Sequence, residues 1–318
     1  MALKGLKEPS LKLILFGGKG GVGKTTCACG TALYLAAPAL NRGFKTVLVS
    51  ADPAHSLSDS LGQKIGGQVT EVKGVANLSA LEINAEKALA RFKSEHDEQI
   101  KKILDTGTSL DADDINSVLA LPIPGMDEVM GFKTIVDLID QATFDKYVVD
   151  TAPTGHALRL LASPQLLNDW IKVLAKIRWK YRYVVETFAG RYTPDQGDDF
   201  LLTTKKAVKR IEDLLRNQGR AEFVAVTVPE AMVILETERL IGGLSKYGIK
   251  VKQLVINNVL QSSGCDFCRK KKEEHQRYIE QIRSRFSDLT ITIMPSQAGE
   301  IKGIEALRTF SQELFGEP

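Results

Sequence analysis

The stretch Leu11-Lys12-Leu13-Ile14-Leu15-Phe16-Gly17-Gly18-Lys19-Gly20-Gly21-Val22-Gly23-Lys24-Thr25-Thr26 decides the fold. A short apolar run of strand length opens it, and a glycine-rich loop and a helical pattern from about Lys24 follow at once. Gly18 to Thr25 fits G-x-x-x-x-G-K-[ST] in the strand, loop, helix context that this pattern requires. Glycines let the backbone wrap and turn its N–H groups inward, and the helix N-terminus adds partial positive charge. Such a loop cradles phosphates with Gly18, Lys19, Gly20, Gly21, Val22, Gly23, Lys24, Thr25 and Thr26. Lys24 is expected on the β- and γ-phosphates of ATP, and Thr25 on Mg²⁺.

Outward from the loop, the strand-like runs are Leu11–Phe16, Thr46–Ser50, Leu78–Ile83, Tyr147–Asp150, Glu222–Val228, Gln253–Asn257 and Thr290–Met294. Several are apolar on both faces, as in a parallel sheet covered by helices. Their helix-length spacing implies right-handed βαβ units. The expected fold is α/β: a doubly wound, mostly parallel P-loop NTPase sheet with an inserted helical subdomain. One domain is expected over 1–318, with its core at about 1–84, 140–163 and 218–318. The insertions run over about 85–139 and 164–217, where strand signals are missing. The polar stretch Gly190 to Asp199 reads as a mobile loop.

Composition narrows the function. With 42 basic and 39 acidic residues there is no electrostatic case for nucleic acid. No apolar run approaches the ~20 residues of a spanning helix, and the first one is too short for a signal peptide. A cytosolic chain is expected. Four cysteines in a chain of 318 residues are not a disulfide framework.

Two further segments place carboxylates at the C-terminal ends of strands, where open α/β sheets bind ligands. Asp150, in Asp150-Thr151-Ala152-Pro153-Thr154-Gly155-His156, is the Mg²⁺ candidate. Asp52, in Asp52-Pro53-Ala54-His55-Ser56-Leu57, is the candidate for orienting the attacking water. An isolated Asp-Pro pair is more often a turn starter; beside a phosphate loop the functional reading prevails. His55 and His156 are given no catalytic role.

Lys19, a second lysine inside the loop, resembles the signature of the deviant Walker A class. The wider set GKGGVGKTT, DPAHSLSDSLG and DTAPTGHALRLL is similar to the family of arsenite-pump ATPases and tail-anchored-protein targeting ATPases. The likeness continues through Pro124 to Glu128, Leu235 to Leu240, Val255 to Asn258 and Gly299 to Gly303. It implies a homodimer in which each Lys19 reaches the partner's ATP, so that Lys19, Lys24 and Asp52 form the catalytic set. It also implies Asn257 at the adenine ring, Pro295, Ser296 and Gln297 in the loop beside the base, and Glu230 reaching the nucleotide in the closed dimer.

Cys265-Asp266-Phe267-Cys268 supplies two thiolates where a structural zinc site wants four. The family resemblance implies two such pairs around one Zn²⁺ shared across the dimer; free or redox-active thiols are the other reading. Cys27 and Cys29 read as core residues.

Two cargoes compete. The preferred expectation is As(III) or Sb(III), with the ATPase driving an integral membrane pump and Cys265 and Cys268 contributing soft thiolates. The alternative is a targeting factor that delivers a tail-anchored helix to a membrane receptor. Only Met126 and Met130 among five methionines fall in the insertions, which weighs against a methionine-lined groove. Leu166, Leu167, Trp170, Ile171, Val173, Leu174, Ile177, Trp179, Val184, Val185 and Phe188 fit a groove lining and a packed helix core equally.

Overall fold

In a computed structural model the chain is described over residues 3–38, 43–52, 56–108, 111–120, 126–151, 154–261 and 264–316. Eight strands form one sheet: β1 Leu13–Gly17, β2 Thr46–Ser50, β3 Thr70–Glu71, β4 Leu78–Glu82, β5 Lys146–Asp150, β6 Ala221–Thr227, β7 Val251–Val259 and β8 Thr290–Pro295. Their order is β3-β4-β2-β5-β1-β6-β7-β8. Every pairing is parallel except β3 with β4. This is the α/β class expected, and each of the seven strand-like runs matches a strand to within two residues at either end. The addition is β3, two residues long and antiparallel.

The strand ends are in register where the chemistry is expected. Phe16 of β1 and Ser50 of β2 both pair with Asp150 of β5. β1, β2, β5 and β6 are buried along their whole length, as their two-sided apolar pattern requires. One exception to that pattern is Lys146 in β5. Its ammonium donates to the carbonyls of Leu6, Glu8 and Leu11, tying the N-terminal segment to the sheet, and burial lowers its pKa to about 8.

Ten α-helices are present among the described residues: α1 Lys24–Ala36, α2 Ser56–Leu61, α3 Ala85–Gly107, α4 Ala112–Ala120, α5 Met126–Asp140, α6 Thr154–Ala189, α7 Gln196–Arg216, α8 Ala231–Lys246, α9 Asp266–Arg285 and α10 Gly303–Phe315. The chain divides into two compact units. One comprises 1–84, 137–161 and 214–318; the other comprises 85–136 and 162–213. The first holds the sheet. Its main core joins α1 and α10 to one face, with Tyr34 and Phe315 stacked at 3.9 Å. The second is all helical, built around Phe92, Ile103, Ile171, Leu174, Phe200 and Val208.

Within the helical unit the polar stretch 191–195 is a loop, α7 begins at Gln196, and ion pairs hold the loop in place. Arg178, almost fully buried on α6, ion-pairs with Asp195 and, at 3.1 Å, with Asp198. Tyr192 donates its hydroxyl to Asp198, and Lys102 of α3 reaches Asp195 at 3.2 Å. The guanidinium holds the Asp195 carboxyl down to about 2 against the opposing effect of desolvation. Polar composition marked this segment as a loop, but its aspartates are the partners of a buried cation, which cannot be left unpaired.

Candidate functional site

The phosphate loop joins β1 to α1, and its glycines are required by their surroundings. A Cβ on Gly18 would fall 2.2 Å from the Val226 carbonyl oxygen of β6. Gly23 adopts φ +92, in the left-handed region that favours glycine, and a Cβ there would meet Asn257 Nδ2 at 2.2 Å. Gly21 is also left-handed, at φ +82. The loop is therefore clamped between β6 and β7, and Val22 is buried under it. Gly20 and Gly21 are exposed at its tip.

Lys24 opens α1, is 6% exposed, and donates to the Lys19 carbonyl at 3.3 Å. Thr25 donates its hydroxyl to Asp150 Oδ2 at 2.6 Å. The other oxygen, Oδ1, is buried without a hydrogen-bond partner. Burial, opposed by Thr25 and Lys24 and reinforced by the Asp52 charge, raises the Asp150 pKa from 3.8 to about 7. An orphaned carboxylate oxygen beside a hydroxyl is a hard-oxygen donor set that suits Mg²⁺. The residues present fit that ion, and a dication would favour the charged carboxylate that burial disfavours.

Asp52 follows β2, half-buried, with its N–H donating to Ser50 Oγ at 3.2 Å. Ser50 pairs with Asp150 across the sheet, so Asp52, two residues on, lies at the same end, where its charge opposes ionisation of Asp150. Pro53, Ala54 and His55 lie outside the described residues, as do Ala152 and Pro153 and the side chain of His156. Beside Ser50 in the sheet, buried Glu82 of β4 accepts from both Ser58 N–H at 3.0 Å and Ser58 Oγ at 3.2 Å, anchoring α2. Nothing in the sequence pattern marks Glu82, a single acid at a strand end.

Asn257 is placed against the loop itself, donating Nδ2 to the Val22 carbonyl at 2.9 Å. That contact holds the loop, a task its implied adenine role did not include. Glu230 is exposed at the N-cap of α8. Pro295 ends β8; Ser296 N–H donates to the Val259 carbonyl, and Gln297 bonds Glu313. Lys19 is half-buried and paired with Glu236 of α8, a partner that no motif reading supplied.

Cys27 and Cys29 are fully buried, as core residues should be. Cys265 is exposed and caps α9, its Sγ accepting from Cys268 N–H at 3.3 Å. Hydrogen bonds from the Cys268 side chain and backbone lower the Cys265 thiol pKa, and the same pairing raises that of Cys268. No cluster of three metal-ligating side chains occurs among the described residues. The basic run that follows is engaged locally: Arg269 with Asp266, Lys271 with Glu274, and Lys272 with the Gln261 carbonyl.

A separate cavity of about 540 Å³ lies among Gly5, Glu8, Glu222, Lys252 and Gln253. It opens at the N-terminal ends of β6 and β7, away from the strand ends where this fold binds ligands, and takes no part in the phosphate site.

A family model described as an anion-transporting ATPase matches residues 11–316. The chain belongs to the anion-transporting ATPase family. Members similar to it include two from Paramecium tetraurelia. ATPase ASNA1 homolog 2 is 34% identical over 325 residues, covering 98% of this chain and 95% of that protein. ATPase ASNA1 homolog 1 is 33% identical over 325 residues, covering 98% and 94%. ATPase GET3B of Arabidopsis thaliana is 36% identical over 321 residues, covering 93% of this chain and 77% of its own length. A member of this family with its phosphate loop intact is an ATP-dependent ATPase built on a P-loop sheet. No helix among its described residues is long and apolar enough to cross a membrane.

Proposed function

We propose that this ATPase is a homodimeric, cytoplasmic targeting factor that carries tail-anchored membrane helices to a membrane receptor. The observation that carries the reading is an exposed apolar surface on the C-terminal half of α6. Trp179 is 67% exposed and Phe188 86%, with Val173, Tyr183 and Val184 also exposed. Trp179 and Tyr183 stack one helical turn apart, and Val184 and Phe188 share the same i, i+4 spacing. Contiguous exposed apolar surface is the mark of a binding site for another apolar surface. The groove candidates thus divide. Ile171 and Leu174 belong to the helical core, with Trp170 and Ile177 packed on it; Val173, Trp179, Val184 and Phe188 face outward. The side chains of Leu166, Leu167 and Met126 lie outside the described residues, and Met130 is buried.

The names of the relatives favour the targeting branch over the pump branch. The preferred expectation of As(III) or Sb(III) transport finds no support in them. The shortage of methionines, which weighed towards the pump, loses its force because aromatic and β-branched residues supply the apolar surface.

At the nucleotide, loop N–H groups and Lys24 bind the phosphates, and Thr25 and Asp150 would hold Mg²⁺, which when bound would supply neutralisation of the phosphate charge. Asp52 accepts a hydrogen bond from the attacking water and orients it. Lys19 serves the partner's triphosphate. Asn257, Glu230, Pro295, Ser296 and Gln297 frame the base side. Cys265, exposed, and Cys268, half-buried one turn on, fit Zn²⁺ only as half of a set completed by a second chain; metal analysis of the Cys265→Ser, Cys268→Ser protein tests this.

Co-expression with a tail-anchored helix tests the cargo. Co-purification that is lost in Trp179→Asp with Phe188→Asp, while ATP hydrolysis persists, is the expected result. Equal recovery by that variant, or no recovery together with ATP hydrolysis stimulated by arsenite, would overturn it.

A further inference from the structure

Lys19 is the residue by which this loop differs from a plain phosphate loop, and its ammonium is already engaged within the chain. Nζ lies 3.3 Å from Glu236 Oε1, with the two side chains 38% and 29% exposed. Glu236 sits in the second turn of α8, and the next residue fixes that helix. The buried Thr237 hydroxyl donates to the Val233 carbonyl at 2.8 Å and lies 3.0 Å from Thr227 Oγ1 at the end of β6. β6 also backs the loop, through the Val226 carbonyl that leaves no room for a Cβ on Gly18. Loop, β6 and α8 therefore form one bracket, and Glu236 is held opposite Lys19 by packing rather than by a chance surface encounter. The two loop lysines differ accordingly: Lys24 is buried and turned onto the loop carbonyl of residue 19, while Lys19 is turned out onto a carboxylate.

We propose that Glu236 is a positioning residue for Lys19, holding its ammonium back from the partner chain's phosphate site until a nucleoside triphosphate bound there competes for it. The inference rests on the reading of the loop as an ATP site. The competition is electrostatic. A carboxylate carries one charge, and a triphosphate carries several within the same short range, so the triphosphate wins the ammonium where a diphosphate wins it less completely. Glu236 thereby contributes to discrimination between ATP and ADP. Half-exposed pairs of this kind are weak and screened by salt, so the contribution is a tuning rather than a switch.

The test is a double-mutant cycle read by equilibrium binding of ATP and of ADP with Mg²⁺. Glu236→Gln is expected to tighten ATP binding by about two- to five-fold at low salt, the size of an exposed ion pair. ADP binding should tighten less, and both effects should fade in high salt. In a Lys19→Ala background Glu236→Gln should do nothing further. A role of Glu236 confined to stabilising α8 would lower the melting temperature and act alike in both backgrounds. Unchanged ATP affinity in Glu236→Gln, or an equal change with and without Lys19, overturns the inference and leaves the ATP site standing. A wild-type chain that binds no ATP sinks both.

Discussion

At the residue scale, Asp150 carries the most physical tension. It is buried, one of its oxygens has no partner, and its pKa is raised to about 7. The sign follows from the unfolded value near 3.8. Between those values the folded chain holds a proton that the unfolded chain releases, so stability from this group is fully present below pH 4. It is lost as pH rises through about 7. Asp150→Asn should remove that slope. Urea unfolding of both proteins between pH 5 and pH 8, without Mg²⁺ or nucleotide, should show the wild type losing more stability than the variant, on the order of a few kcal/mol. Parallel curves would contradict it. The neighbouring acid has a different duty. Asp52→Asn should slow hydrolysis by at least about 10²-fold, within the range of positioned acid–base groups, with ATP binding nearly intact; Lys24→Ala should abolish turnover. Normal turnover in Asp52→Asn would remove Asp52 from its proposed role. The loop and both acids were legible in the sequence because spacing at strand ends exposes them. The partners of Glu236 and Glu82 were not: Glu236 falls in the stretch Leu235 to Leu240, but its pairing with Lys19, like that of Glu82 with Ser58, comes only from what folding brings opposite it.

At the scale of elements, the strands were legible because a parallel strand buried on both faces writes an unbroken apolar run. β3 was illegible for the opposite reason: two residues, Thr70 and Glu71, pair on an edge and bury little. Lys146 shows how a charged residue enters such a run, by finding three carbonyls. The stretch 191–195 shows a different limit. Its composition is that of a loop, and it is a loop, but Arg178 of α6 holds it by ion pairs that sequence spacing does not display. Arg178→Ala would remove the buried cation that Asp195 and Asp198 share, leaving Lys102 on Asp195 alone. The helical unit should lose about 2 kcal/mol, the scale of hydrogen bonds to charged groups, while ATP binding is unaffected. Thermal unfolding alongside ATP titration checks both halves, and an unchanged melting temperature would show the cluster to be dispensable.

At the scale of the whole molecule, α6 was read as a helix with an ambiguous apolar set, and the ambiguity was real. A helix pattern shows which residues are apolar but not which face the neighbouring helices cover, and Ile171 and Phe188 have opposite fates. The same limit applies to the second chain. In the proposed dimer Lys19, the exposed Cys265 and the exposed Met232 on α8 would find their use at a second chain, and ATP hydrolysis would be a property of two chains. Sedimentation of the purified protein with Mg²⁺ and ATP, run beside turnover per chain across a dilution series, tests this directly. A dimer with nucleotide, and turnover per chain that falls as dilution separates the chains, is predicted. A monomer that hydrolyses ATP at an undiminished rate per chain at every dilution would contradict it.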